Sequence, residues 1–435
     1  MGDEWFEGSL ADVCASIDYG FTASAEDAPI GPKFLRITDI VAGYVDWKSV
    51  PHVSADRATT QKYRLHEADI VLARTGASTG ESLYIQEPPE AVFASYLVRL
   101  KVNERFDPRF VAYYLQSESF WSYIRGVLGD KSAQPNASAS TMTKAPIRAP
   151  QDIGEQRAVG RVLGTLDDKI ELDRRMNQTL EGIARALFKS WFVDFDPVRA
   201  KAEGRDPGLP AHIADLFPDR FEASELGEIP NGWRIGKVGE FVTLGRDGIN
   251  PEEFPDEVFD HFSIPAFDDG RRPKAELGAA IKSHKFLVPA DSVLLSKLNP
   301  RIPRIWLPVV GNDHRAICST EFLVALRSAW ASREFLYSCL SSEGFSALFE
   351  TLVTGTSGSH QRVKPEDLLN IDAVVPDGEI VQLFTQVLRP VLKRVDWGRK
   401  EADTLASLRD ALLPKLLSGE IRVGELERSV EGALP

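Results

Sequence analysis

The chain repeats itself at a distance of about 225 residues, which constrains its fold more than any other feature. Ala68-Asp69-Ile70-Val71-Leu72-Ala73-Arg74 is echoed by Ala290-Asp291-Ser292-Val293-Leu294-Leu295-Ser296-Lys297. Each reads as a turn leading into a buried strand that ends on a cation. A second strand follows in both copies, Ser95-Tyr96-Leu97-Val98-Arg99-Leu100 and Glu321-Phe322-Leu323-Val324-Ala325-Leu326. Next comes a short helical pattern rich in aromatics, with Phe110, Tyr113, Tyr114 and Trp121 in one copy and Phe335, Tyr337, Phe345 and Phe349 in the other. A polar segment of equal length then ends on an apolar strand and a proline, Val127 to Pro150 and Val353 to Pro376. Order and spacing agree although identity is low, so the pattern reads as a tandem duplication. Its period is too long for a solenoid.

Past each proline, at Gly154-Glu155-Gln156 and Gly378-Glu379-Ile380, a long helix begins. Apolar or small residues recur there at alternating four- and three-residue steps. The first stripe is Val159, Leu163, Leu166, Ile170, Asp173, Asn177, Leu180, Ala184, Leu187 and Trp191. The second is Phe384, Leu388, Val391, Val395, Gly398, Ala402, Leu405, Arg409, Leu412 and Leu416. A period of roughly 3.5 residues is a coiled-coil seam, and polar Asp173, Asn177 and Arg409 within it fit a register-setting role. A helix of about 38 residues is about 57 Å long, more than one small domain covers, so the two helices are expected to pair as a rod. Pro390 and Pro414 are expected to kink the second.

The connector, residues 197–230, carries five prolines and three glycines. Phe217 and Phe221 within it are expected to be pinned against a neighbour. No apolar run is long enough to span a membrane, and Met1-Gly2-Asp3-Glu4 is not a signal peptide. Cys14, Cys318 and Cys339 have no metal-ligand spacing, and their odd number argues against a disulfide framework, which suits a reducing cytoplasm.

The usual catalytic signatures are missing. There is no Gly-x-Gly-x-x-Gly loop, no phosphate cradle ending Gly-Lys-Ser/Thr, and no Asn/Asp-Pro-Pro-Tyr/Phe. Asp152 with Asp167-Asp168-Lys169 loosely fits a metal-dependent nuclease, but the latter three lie on the long helix, where a solvated charged face is the ordinary reading. The seven histidines show no ligand spacing, so no metal site is expected.

What remains is two polar, donor-rich stretches per copy. One follows the shared strand, offering Arg74, Thr75, Ser78 and Thr79 in the first copy and Lys297, Asn299, Arg301 and Arg304 in the second. The other precedes the last strand, offering Lys131, Ser132, Gln134 and Asn136, then Ser357, Ser359, His360, Gln361 and Arg362. Arg and Lys suit guanine, Asn and Gln suit adenine, and Ser and Thr anchor phosphates. The stretches share position but not sequence, as two readers of different DNA sequences would. Net charge opposes this reading. The chain carries −13 overall, with 15 Lys+Arg against 19 Asp+Glu in residues 1–150 and 16 against 19 in 231–376. Phosphate affinity comes from cations, so a DNA-binding face must be a local patch.

Several longer stretches resemble the specificity subunit of type I restriction–modification enzymes. They are Pro150 to Gln156, Ser190-Trp191-Phe192-Val193-Asp194-Phe195-Asp196-Pro197-Val198, Leu216-Phe217-Pro218-Asp219-Arg220-Phe221, Gly227-Glu228-Ile229-Pro230-Asn231-Gly232-Trp233, and Leu295-Ser296-Lys297-Leu298-Asn299-Pro300-Arg301. The resemblance covers nearly the whole chain. It implies an α+β fold with two tandem target-recognition domains, 1–150 and 231–376. Two long helices, 151–196 and 377–423, would pair as an antiparallel coiled coil, with a tail at 424–435. Each domain would read one half of an interrupted, asymmetric site on double-stranded DNA, and the coiled coil would fix the spacer. Two modification (methyltransferase) subunits would dock there, bringing S-adenosylmethionine. Separate restriction subunits, ATP-dependent translocase–endonucleases, would cut. The chain itself would be non-catalytic and need no cofactor. A reading from another class is a coiled-coil assembly or adhesion protein that does not bind DNA.

Overall fold

Ile70-Val71-Leu72-Ala73 has no polar side chain, and all four residues are buried inside a four-stranded sheet. In this computed structural model, which describes residues 5–40, 43–129, 136–328, 330–354 and 361–424, that strand belongs to the first of two units. The first unit combines residues up to Arg174 with those from Lys400 onward, and the second spans Arg175–Arg399.

In the first unit the sheet order is Cys14–Tyr19, Leu97–Val102, Ile70–Ala73, Ser82–Tyr84, all antiparallel, with Ile70 opposite Leu100 and Ala73 opposite Leu97. Strands Trp5–Ser9 and Pro146–Pro150 form a separate antiparallel pair. Helices Pro108–Gln116 and Glu118–Leu128 follow the sheet, each begun by a polar cap: Asp107 accepts from the Phe110 amide and Ser117 from that of Phe120. Their buried faces, with Phe110, Phe120 and Ile124, join one core with Leu163, Leu413 and Leu416 of the long helices.

The second unit repeats this order. Its sheet runs Val242–Gly245, Phe322–Arg327, Ser292–Ser296, Ile305–Trp306, and Arg234–Lys237 pairs with Asp372–Val375. Helices Arg333–Leu340 and Glu343–Thr351 follow, capped by Ser332 and Ser342. The aromatic pattern read as one short helix in each copy is thus two, because a serine that caps the next helix interrupts it. The second unit also carries a five-stranded mixed sheet: Gly248–Ile249, Lys285–Leu287, Arg315–Ser319, Val258–Phe262 and Lys274–Leu277. Its strands are short and broken by turns, so no periodicity announced it.

The long helices are Ile153–Phe192, of 40 residues, and Gly378–Ser418, of 41. Every position of both apolar stripes is buried or half-buried. Within the second unit Asn177 lies against Gly398, and Phe188 and Phe192 pack on Phe384 at 5.9 and 5.1 Å, so the helices run in opposite directions there. Within the first unit Asp167 accepts from Arg409 at 2.7 Å, and Lys169 bridges buried Asp173 at 2.8 Å and Glu401 at 3.1 Å. The first helix stops at Phe192, where Asp194 bonds back to the Lys189 carbonyl and Phe195 takes a left-handed φ of 56°. The second stops at Ser418, before Gly419 at φ 76°. Pro390 and Pro414 do not interrupt it. Pro390 is exposed, as is Gln386, whose carbonyl it leaves unpaired, so water can satisfy that group.

The connector packs within the second unit. Phe217, 1% exposed, meets Trp191 edge-on at 5.1 Å, and the Lys201 ammonium donates to the Ala214 carbonyl at 3.0 Å. Phe221 stands 6.2 Å from Phe195.

Candidate nucleic-acid interface

The buried strand Ile70–Ala73 delivers Arg74 to the rim of its sheet. There its amide donates to the Tyr96 carbonyl at 3.0 Å, and its own carbonyl accepts from Ala137 at 3.0 Å. Thr75 and Asn136 form an isolated bridge. The loop after the strand is therefore laced by backbone bonds to the end of the later polar segment, some 60 residues away. The Arg74 guanidinium lies over the Tyr19 ring at 5.1 Å and donates to Asn136 Oδ1 at 3.4 Å. Both partners are neutral, so the cation keeps its charge for a ligand.

The second unit builds the same lacing with different side chains. Lys297 donates its amide to the Glu321 carbonyl at 2.9 Å and accepts from Val363 at 3.1 Å. Leu298 and Arg362 form the bridge, and the Asn299 amide donates to the Gln361 carbonyl at 3.0 Å. Tyr96 and Glu321, like Arg74 and Lys297, thus hold matching places, as do Asn136 and Arg362.

The remaining candidates differ in how free they are. Ser78 is half-buried in the turn, whereas Thr79 is 3% exposed and donates its hydroxyl to the Gly76 carbonyl at 2.7 Å. Thr79 therefore shapes its own loop. Arg301 is exposed, 3.8 Å from Glu350. Arg304 is clamped by Asp268 through two bonds of 2.8 Å, its side chain 11% exposed. Arg362 is held by Glu321 through Nε and Nη2, both at 3.0 Å. Gln361 is half-buried. Lys131, Ser132, Gln134, Ser357, Ser359 and His360 lie outside the described residues.

Sequence reasoning missed Tyr19 and Tyr96, 46% and 59% exposed beside Arg74. It also missed Asp268 and Glu321. Only an aromatic at a strand end hinted at Tyr19; nothing in the sequence pairs either carboxylate with its arginine.

The loose nuclease grouping is spent on structure. Asp152 accepts from the Gly154 amide at 2.8 Å at the start of the long helix, and Asp167 accepts from the Tyr113 hydroxyl at 2.5 Å and from Arg409. Asp168 faces Arg109 at 3.6 Å. Burial pushes the thiols of free Cys14, Cys318 and Cys339 up to about 12, so none is a ready nucleophile. Among the described residues no helix is long and apolar enough to cross a membrane.

Residues 3–182 match the model of the type I restriction modification DNA specificity domain. The chain is 24% identical over 471 residues to the type I restriction enzyme HindI specificity subunit of Haemophilus influenzae, covering 96% of this chain and all of that one. It is 24% identical over 373 residues to the MjaIX specificity subunit of Methanocaldococcus jannaschii, covering 82% of this chain and 76% of the relative. Its fold matches the crystal structure of a type I restriction–modification S subunit from M. genitalium, with a TM-score of 0.55 at 13% identity over 96% of this chain and 97% of that one. The family model and these relatives agree on one assignment: over most of its length the chain is similar to the specificity subunits of type I restriction–modification enzymes.

Proposed function

We propose that this chain reads an interrupted, asymmetric site on double-stranded DNA through two faces, one per unit. The observation that carries the reading is the repeated lacing. In each unit the same backbone bonds tie two polar loops together at the end of a buried strand, and the side chains they present differ. A shared frame with unlike donors is what two readers of different half-sites need. The chain is the non-catalytic, specificity-giving member of its complex.

Around that core stand finer proposals. The tandem recognition domains are residues 1–150 and 231–376. The long helices pair as an antiparallel coiled coil that sets the spacer and receives two modification subunits, and restriction subunits join that assembly in the cytoplasm. The opposed helix contacts in the second unit and the Asp167–Arg409 link in the first support the pairing. The acidic balance of the chain fits this arrangement if much of it faces partner subunits.

Selection of bound duplexes from a random library, using the chain assembled with its modification subunits, tests the reading. Two short specified blocks separated by an unspecified spacer are expected. Self-assembly with no sequence enrichment would instead support the adhesion-type protein. Inserting four residues into each long helix is expected to lengthen the preferred spacer; an unchanged spacer removes the ruler role.

A further inference from the structure

The two faces differ in one electrostatic respect. Among the described residues no carboxylate lies within 4.0 Å of the Arg74 or Lys297 charge. In the second unit, however, exposed Arg301 has Glu350 at 3.8 Å, and two further candidate arginines are held in forked pairs. Glu321 takes Arg362 in a forked pair, and Asp268 takes Arg304 in another. Each pair joins loops far apart in sequence, 41 residues in one case and 36 in the other. Neither carboxylate is buried away from the face: their side chains keep 26% and 49% of their exposure. Glu321 also occupies the place that neutral Tyr96 holds beside Arg74.

We infer that Glu321 and Asp268 are specificity-determining residues: resident counterions that hold Arg362 and Arg304 until the correct half-site replaces them. This rests on the DNA-reading proposal above. An arginine free of a counterion gains affinity from any phosphate, whatever the sequence. One already paired must exchange a carboxylate for its new ligand, and the abandoned carboxylate is left beside a polyanion. A guanine edge offering O6 and N7 to the fork, with a cytosine amino group for the carboxylate, satisfies both halves of the broken pair. A wrong base or a bare phosphate satisfies only one. The carboxylates therefore act chiefly against incorrect DNA, as repulsive elements commonly do in selective interfaces. The second unit discriminates by exchange, while Arg74 in the first has no carboxylate to displace.

The test measures binding of the assembled complex to its selected site, to the site with the second half scrambled, and to unrelated duplex, across a salt series. Glu321→Gln keeps an acceptor for Arg362 and removes the charge. It is expected to tighten binding to unrelated duplex roughly tenfold, steepen the salt dependence by about one phosphate contact, and narrow the gap between correct and scrambled second halves. Asp268→Asn should do the same independently through Arg304. In the first unit, Tyr96→Glu puts a carboxylate beside Arg74 and should weaken binding to unrelated duplex. Folded variants with unchanged non-specific affinity and salt slope would overturn the inference and leave Glu321 and Asp268 as structural clamps. A wild-type complex that selects no sequence would instead overturn the DNA-reading proposal itself, so the two failures are distinct.

Discussion

Phe384→Ala is expected to destabilise the second unit by about 3–5 kcal/mol, the cost of deleting a large buried aromatic side chain. Phe384 is fully buried on the second long helix. Its ring meets Phe192 at 5.1 Å, Phe188 at 5.9 Å, Trp191 at 6.0 Å and Phe335 at 6.4 Å. Three of these neighbours stand on the first long helix, and Phe335 stands on the helix that follows the sheet. One side chain therefore fastens both long helices to the recognition fold of that unit. The rings around it also pack on one another, Phe192 edge-on to Phe335 at 5.2 Å and tilted against Phe188 at 5.2 Å, so they collapse poorly into the vacated space. Urea titration followed by tryptophan fluorescence reads the loss, since Trp191 and Trp233 sit in the same core. Trp397, 53% exposed on the same helix, supplies the control: Trp397→Ala is expected to cost under about 1 kcal/mol. A loss at Phe384 no larger than that control would show that the cluster does not hold the unit together.

The second large effect concerns recognition. Arg74→Ala is expected to weaken binding to the selected site by about tenfold to a hundredfold, the range set by about 1–3 kcal/mol for a well-placed base contact. The loss should fall on one half-site. Scrambling that half in the wild type and mutating Arg74 should be non-additive, while preference at the other half stays intact. Equal loss of preference at both halves would end the division of labour between the units. Arg74→Lys separates two modes of contact: a phosphate contact survives it in large part, whereas a forked guanine contact does not.

Much of the scaffold was legible because burial writes a pattern into sequence. Ile70–Ala73 and Ser292–Ser296 are continuous apolar or small runs since both faces of the strand are covered. The helical stripes were readable for the same reason, down to Asp173, which is fully buried with Lys169 as its partner. The five-stranded sheet of the second unit left no such trace: its strands run from two to five residues. At the candidate interface the sequence marked the loops but not their use. Thr75 meets Asn136, and Arg304 meets Asp268, across separations that no local pattern spans. Thr79 offers a hydroxyl whose donor is already given to the Gly76 carbonyl of its own turn, a use the sequence does not mark. Arginines in polar loops read alike until their carboxylates are found, and that distinction decides which of them is free to bind.

Gly419 packs against the indole of Trp5 so closely that a Cβ would stand 2.4 Å from Cζ2, and Leu413, Leu416 and Val423 complete the core around Phe110 and Phe120. The first unit is thus discontinuous in the chain, whereas the second is one uninterrupted segment. During synthesis, the part of the protein made first is the part that must wait. The second unit has all its residues once Arg399 has left the ribosome, while the first keeps apolar surface open until the end of the second long helix arrives. Premature termination just before that point would therefore leave the downstream unit whole and the upstream one uncapped.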